Sequence, residues 1–246
     1  MQINSSRRRP LTTGLFLATL ASLSLGFAKH QEVCWTAAVI SITTLLAQRK
    51  EKINWQHLSL ASVPIGTILT AFGIPWQIAP IGTVALHLLA TRDRRNQTIL
   101  KEHFKIKRLK PSQITVAIAI TIVACIYMQD YLQTRFTLIH LTPWISPIIQ
   151  LTAASLTNAA AEEIVFRAAI ISLPIWRSNS SSIIFSACIF GIAHWSMGIP
   201  SGLEGALASG LYGLPLAWLY QKTQSITLPT ASHFVVNCIT LLLLEA

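Results

Sequence analysis

The stretch IIQLTAASLTNAAAEEIVFRAAIISL, residues 148–173, decides the fold. It lies between Pro147 and Pro174, and it is apolar apart from a few polar side chains and three charged residues, Glu162, Glu163 and Arg167. In a helix that rises 1.5 Å per residue it would be about 39 Å long, which exceeds a hydrocarbon core of about 30 Å. The stretch therefore predicts a membrane-spanning helix with ionisable groups in its interior.

The composition of the whole chain is that of a membrane protein. Of its 246 residues, 52% are hydrophobic and only 11% are charged, far from the usage of soluble domains. The formal net charge is +10, and residues 1–110 hold 15 Lys and Arg against 4 Asp and Glu. Long uncharged apolar blocks separate these basic residues, which excludes a soluble nucleic-acid-binding protein.

Apolar segments of helical length recur along the chain, with charges and prolines between them. We predict an all-α, polytopic transmembrane helix bundle of about eight or nine spans. The candidate spans are residues 11–28, 33–47, 58–73, 76–91, 111–128, 148–173, 181–197, 204–220 and 226–244. The first follows Arg7, Arg8 and Arg9, so it also fits a cleaved signal peptide, although we favour an uncleaved anchor.

The distribution of Lys and Arg predicts the orientation. With the N-terminus in the cytoplasm, most basic residues fall on the cytoplasmic side, including those of the loop 92–110. This loop is either an orientation signal, which we favour, or a surface for anionic lipid headgroups. We expect a bacterial-type plasma membrane, with N-terminal transmembrane helices and the basic loop in residues 1–140 and a catalytic helix core in residues 141–246.

The cysteines do not indicate a disulfide framework or a thiolate metal site. None belongs to a CxxC pair, and each lies in an apolar stretch, so we interpret them as small core residues. They are Cys34, Cys125, Cys188 and Cys238.

The ionisable groups of residues 148–173 divide into two roles. Glu163 and Arg167 are separated by four positions, a spacing that allows a salt bridge within one helix. Glu162 is rotated about 100° from Glu163 and is expected to face elsewhere, free to act as a base. Alternatively, all three side chains form one structural salt-bridge cluster, although this would bury a second carboxylate without compensation.

Two further spans carry polar residues that hydrocarbon disfavours. His194 follows Phe190 by one helical turn, and His233 and Asn237 share one face of the last span. An imidazole and a carboxamide placed in this way can donate two hydrogen bonds to an oxyanion. Alternatively, these residues stabilise helix packing through interhelical hydrogen bonds.

The three motifs together resemble the CPBP family of intramembrane endopeptidases, which includes the CAAX prenyl endopeptidases and bacteriocin-processing or self-immunity proteins. The resemblance rests on EEIVFR at 162–167, FxxxH at 190–194 and HxxxN at 233–237, and it covers about residues 145–245. One departure is Ala168, where these proteins often have Gly.

The resemblance implies hydrolysis of a peptide bond in the membrane. Glu162 and His194 would activate water, His233 and Asn237 would stabilise the oxyanion, and Glu163, Arg167 and Phe190 would support them. We expect no metal, with zinc on Glu162, His194 and His233 as the alternative, because the chain lacks HExxH.

The implied partners are the lipid bilayer and a peptide or membrane-protein substrate, with no nucleic acid. A prenylated C-terminus, a leader peptide and a membrane-protein segment all remain open as substrates. A transporter and a non-catalytic membrane scaffold are the alternatives from other classes, because buried carboxylates and histidines also serve in proton relays and helix association.

Overall fold

A computed structural model describes residues 58–63, 65, 77–90, 101–135, 145–173, 176, 178–197 and 199–245. Nearly all of these residues are helical and none of them lies in a strand, which confirms the predicted all-α class. The predicted spans 11–28 and 33–47 lie outside the described residues, as do most of 58–73, Cys34 and the arginines at 7–9.

The described part of the chain contains six long α-helices and a π-helical segment. They are α1 (Ile78–Ala90), α2 (Pro111–Arg135), α3 (Ile145–Glu162), the π segment (Glu163–Ala169), α4 (Asn179–Met197), α5 (Gly202–Thr223) and α6 (Thr227–Glu245). Most of these bounds lie within a few residues of the predicted spans. The exception is α2, which continues well past the predicted end at residue 128.

Local sequence explains where two of these helices begin or end. Pro111 opens α2 with a backbone angle already suited to a helix, and Gln113 accepts a hydrogen bond from the backbone N–H of Lys110 at 2.8 Å. Gln224 ends α5 in the left-handed conformation, with φ of 52°, and its N–H donates to the carbonyl of Tyr220. The short turn that follows leads directly into α6.

α4 and α5 form the closest helix pair, because small residues let their backbones approach. A methyl group at Gly191 would overlap the carbonyl oxygen of Ala206, and one at Gly205 would overlap the carbonyl of Pro200. This close contact fixes His194, near the end of α4, relative to α5. α6 in turn packs against both α2 and α3, which brings the third polar motif to the first.

The π segment changes one expectation. Residues 148–173 were predicted to form an uninterrupted α-helix, but all seven residues from Glu163 to Ala169 are π-helical and buried. The wider π turn displaces backbone groups from their α-helical partners, and Ser186 of α4 donates to the carbonyl of Phe166 at 2.7 Å. The first motif thus lies at the junction of α3 and the π segment.

Within the described ranges, two helices have the length and apolarity needed to cross a membrane. They are Pro111–Thr134, with mean hydropathy 1.8, and Thr227–Leu244, with mean hydropathy 1.5. α2 exposes an apolar row at every fourth position, suited to contact with lipid: Ile114, Ile118, Ile122 and Ile126. These helices fit a membrane protein, while the count of eight or nine spans remains a prediction.

Candidate active site

A fully buried ion pair lies at the centre of the first motif. Arg167 Nη1 is 3.2 Å from Glu163 Oε1, and both side chains are 0% exposed. The guanidinium also stacks over the Phe190 ring, with 4.2 Å from Cζ to the ring centroid. The salt bridge expected from the four-residue spacing is therefore present, and Phe190 covers its cationic side.

His233 connects this pair to the second glutamate. Its Nδ1 is 2.9 Å from Glu163 Oε1, and its Nε2 is 3.4 Å from Glu162 Oε2. Because a carboxylate accepts hydrogen bonds, we assign the proton on Nδ1 as the donor to Glu163. The imidazole therefore lies between the two carboxylates, and the His233 side chain is only 5% exposed.

The expectation that Glu162 faces away from Glu163 is wrong, because both carboxylates reach the same imidazole. Their backbone positions diverge around the helix axis, but each side chain has enough rotatable bonds to bend toward a ring placed between them. The expectation assumed the α-helical rotation of about 100° between consecutive residues. The change from α- to π-helical geometry at Glu163 alters that rotation.

Glu162 differs from Glu163 in its surroundings. Its Oε1 accepts a hydrogen bond from Asn158 Nδ2 at 2.9 Å, and Gln77 Nε2 donates to Asn158 Oδ1 at 2.9 Å. Among the described residues, no group hydrogen-bonds its Oε2. The Glu162 side chain also keeps 11% exposure, against 0% for Glu163, although its Oε2 atom is itself buried.

His194 is oriented by its own helix. Its Nδ1 is 3.0 Å from the carbonyl oxygen of Phe190, which can only accept, so Nδ1 carries a proton. In the neutral ring Nε2 then has a lone pair that can accept a hydrogen bond from water. His194 and His233 line the same cavity, and His233 contacts Glu162, which places the three side chains in one neighbourhood.

A cavity of about 60 Å³ joins the second and third motifs. This volume is sufficient for an ordered water molecule. Its wall contains residues from α2, α4, α5 and α6, among them Phe190, His194, Tyr212, His233 and Asn237. Glu162 does not line the cavity; it reaches the wall through its contact with His233.

Asn237 is held loosely. Its Nδ2 lies 3.4 Å from the carbonyl oxygen of Ser155, near the upper limit for a hydrogen bond. The carboxamide therefore lies at the cavity with a donor that a better acceptor could recruit. All seven residues selected from the sequence are thus linked, either through the cavity or through contacts with His233 and Glu163.

The zinc alternative names Glu162, His194 and His233 as ligands. Across the residues that the structure describes, no group of three or more His, Cys, Asp or Glu side chains is arranged to hold a metal ion, so these three side chains do not fit zinc as they stand. The metal-free reaction stays a prediction.

Three site residues were missed by the sequence reasoning. Asn158 lies four positions before Glu162, a spacing that could have indicated the hydrogen bond between them. Gln77 lies 81 positions before Asn158, and no local sequence pattern indicated that their side chains would be in contact. Tyr212 resembles any core aromatic until its position on the cavity wall is known.

Comparison with known proteins selects the same part of the chain. Residues 144–239 match the family model described as type II CAAX prenyl endopeptidase Rce1-like, and this range contains all seven predicted site residues. No curated protein and no solved structure matches the chain. The family resemblance stated from the three motifs is confirmed: residues 144–239 form a domain of the Rce1-like CAAX protease family, a membrane-embedded family of proteases.

Proposed function

We propose that the chain is an intramembrane endopeptidase that hydrolyses a peptide bond with a glutamate- and histidine-activated water, without a metal. One observation carries the proposal: His233 contacts both glutamates and also lines the cavity with His194 and Asn237. An imidazole acceptor and hydrogen-bond donors therefore line one small volume, and the base contacts its wall through His233.

The first step is attack by water on the scissile carbonyl carbon. Glu162 takes one proton of the water, whose oxygen forms the new bond to carbon, while the carbonyl π electrons move to oxygen. His194 Nε2 accepts a hydrogen bond from the same water and orients it. Glu162 suits this role because its Oε2 has no hydrogen-bond donor among the described groups.

The tetrahedral intermediate is stabilised by His233 and Asn237. With its Nδ1–H donated to Glu163, His233 presents a second N–H at Nε2 when the ring is protonated. Two carboxylates and one guanidinium leave one negative charge, which the imidazolium balances. Asn237 exchanges its long contact with Ser155 for the oxyanion.

Collapse of the intermediate completes the reaction. The oxyanion re-forms the carbonyl, the C–N bond breaks, and the proton held by Glu162 passes to the departing nitrogen. One product is a carboxylic acid that contains the water oxygen, and the other is an amine. Glu162 is then ionised again, ready for the next cycle.

The family match favours this function over the alternatives. A transporter or a scaffold could use buried carboxylates and histidines, but residues 144–239 belong to a protease family. The substrate class stays part of the proposal: a prenylated C-terminal peptide, a leader peptide and a membrane-protein segment are the three to compare. The cytoplasmic N-terminus and a bacterial-type plasma membrane belong to it as well.

Glu162→Gln is the direct test. The glutamine can still accept the hydrogen bond from Asn158, so the fold should persist, but the general base is lost. We expect cleavage of the best of the three substrate peptides, in detergent, to fall about 10²- to 10⁴-fold. Glu102→Gln is the matched control, because Glu102 is exposed near two lysines and should keep full activity.

Three results would overturn parts of the proposal. Full cleavage by a folded Glu162→Gln variant would remove the assigned base. Activity that is lost on exhaustive chelation and restored only by zinc would replace the metal-free route. Substrate-driven proton flux into liposomes without peptide cleavage would favour a transporter.

A further inference from the structure

Tyr212 is a partly buried side chain with a buried hydroxyl that the proposed mechanism does not use. It lies on α5 and lines the cavity with His194, His233 and Asn237. Its ring stands nearly perpendicular to that of His233, at 81°, with 5.8 Å between the centroids. Its hydroxyl oxygen is buried and has no hydrogen-bond partner among the residues that the structure describes.

An unpartnered buried hydroxyl is costly, because it gives up water and gains nothing in return. The ring of Tyr212 packs against all three apolar clusters of the core, a role that phenylalanine would fill equally well. Packing therefore accounts for the ring and leaves the hydroxyl unexplained. A ligand that enters the cavity and accepts a hydrogen bond would explain it.

Eight positions further along the same helix, Tyr220 shows the opposite arrangement. Its hydroxyl lies 2.9 Å from Ser172 Oγ and 2.8 Å from His103 Nδ1, so it is fully engaged within the protein. The two tyrosines share a helix and a residue type, although Tyr220 is fully buried and Tyr212 only partly. They differ in that one hydroxyl is used by the fold and the other remains available at the cavity.

The charges around Tyr212 favour donation by its hydroxyl. The Tyr212 ring contacts the His233 ring, which lies between the carboxylates of Glu162 and Glu163. A phenol carries a proton near neutral pH, so the Tyr212 hydroxyl can donate a hydrogen bond. Its available partner in the cavity is thus an acceptor, and a developing oxyanion is the strongest acceptor in the proposed reaction.

We propose that Tyr212 is a third oxyanion donor, which hydrogen-bonds the carbonyl oxygen of the scissile peptide together with His233 and Asn237. This inference rests on the proposed peptidase function. The phenol keeps its proton throughout; it shares a hydrogen bond that strengthens as the carbonyl oxygen gains charge. Tyr212 is therefore a catalytic residue, although it lies outside the three sequence motifs.

The test compares Tyr212→Phe with Tyr220→Phe, two variants that each remove one hydroxyl from α5. Tyr212→Phe should lower kcat about ten- to a hundredfold, leave KM within about threefold, and leave Tm unchanged or higher. Tyr220→Phe should do the reverse, with a lower Tm and an unchanged kcat. A kcat for Tyr212→Phe within twofold of the wild type overturns the proposal.

A binding measurement adds a readout that packing alone would not affect. A phosphinic analogue of the cleaved peptide has the tetrahedral geometry of the intermediate, whereas the product peptide does not. Tyr212→Phe should weaken binding of the phosphinic analogue by the same factor as kcat/KM, and product binding by less than threefold. Equal weakening of both ligands would indicate a general role in binding and overturn the assignment.

Glu162→Gln, measured in parallel, separates this inference from the function on which it rests. Loss of cleavage in Glu162→Gln with full activity in Tyr212→Phe refutes only the role of Tyr212. Retained cleavage in Glu162→Gln refutes the proposed mechanism. If the wild-type chain cleaves none of the three substrate peptides, the peptidase function and the role of Tyr212 both fail.

Discussion

Two buried polar clusters in this molecule differ in how completely their polar groups are hydrogen-bonded. The active-site cluster consists of Glu162, Glu163, Arg167 and His233, and the tyrosine cluster consists of His103, Ser172 and Tyr220. In the tyrosine cluster, one hydroxyl joins two partners at 2.8 and 2.9 Å. In the active-site cluster, Oε2 of each glutamate and the guanidinium N–H groups lack hydrogen bonds within the described ranges.

The difference distinguishes polar groups that stabilise the fold from polar groups that remain available to bind water or an intermediate. A buried donor or acceptor without a partner costs about 1–3 kcal/mol, so clusters that only stabilise are expected to be saturated. The active-site cluster keeps spare capacity in spite of that cost. A site that must bind water and a charged intermediate needs such capacity before its substrate arrives.

The largest expected effect comes from Glu163→Gln, which removes from the active-site cluster the carboxylate that pairs with Arg167. The variant leaves Arg167 charged and 0% exposed without its carboxylate. Loss of one member of a buried ion pair costs about 3–5 kcal/mol, so the free energy of unfolding should fall by that amount. Chemical denaturation in detergent, followed by circular dichroism, measures it.

Glu162→Gln is the matched control for this prediction. Glu162 has no cationic side chain of its own comparable to Arg167, and its glutamine can still accept the hydrogen bond from Asn158. Its unfolding free energy should change by about 1 kcal/mol or less. Equal destabilisation by the two substitutions would show that the neighbouring glutamates share one structural role, as the salt-bridge alternative holds.

The order of the helices was predictable because it depends on patterns that are local in the sequence. Apolar length located the regions of α1 to α6, and prolines located several of their ends. The π segment was not predictable. A change from α- to π-helical periodicity over only seven residues does not produce a recognisable pattern of apolar positions in the sequence. The eight or nine spans remain a prediction.

Pairing within the site was predictable where both partners lie on one helix turn, as for Glu163 and Arg167. Contacts between helices were not, and this is why His233 was expected to donate only to an oxyanion when it also joins the two glutamates. The catalytic roles of Glu162, His194, His233 and Asn237 stay predictions. Geometry brings these residues together, and only activity measurements test what they do.

Tyr220→Phe should have an intermediate effect and would sharpen the contrast between the clusters. It leaves His103 Nδ1 and Ser172 Oγ without the hydroxyl that joins them, at a cost of about 1–3 kcal/mol. A double-mutant cycle with Ser172→Ala should show non-additive losses, because both variants remove the same bond. Additive losses, measured by denaturation, would mean that the cluster does not act as a unit.

At neutral pH the smallest expected effect comes from His103, in the basic loop before α2, because its contribution to stability changes only as the pH falls. Burial, assisted by the charge of Lys107 and opposed by Glu102, lowers the pKa of His103 from 6.5 to about 4. The unfolded chain therefore binds this proton more readily than the folded one. The contribution of His103 is fully present above pH 6.5 and is lost as the pH falls through about 4.

His103→Asn isolates this contribution, because the amide oxygen can replace Nδ1 as a partner for Tyr220 but does not titrate. Between pH 6.5 and 4 the Tm of the wild type should fall more steeply than that of the variant. The active-site cluster is unchanged in both proteins, so its own titration cancels in the difference. Parallel Tm curves over this range would show that His103 is protonated in the folded state as easily as in the unfolded chain, and that the tyrosine cluster tolerates a charge its saturated hydrogen bonds should exclude.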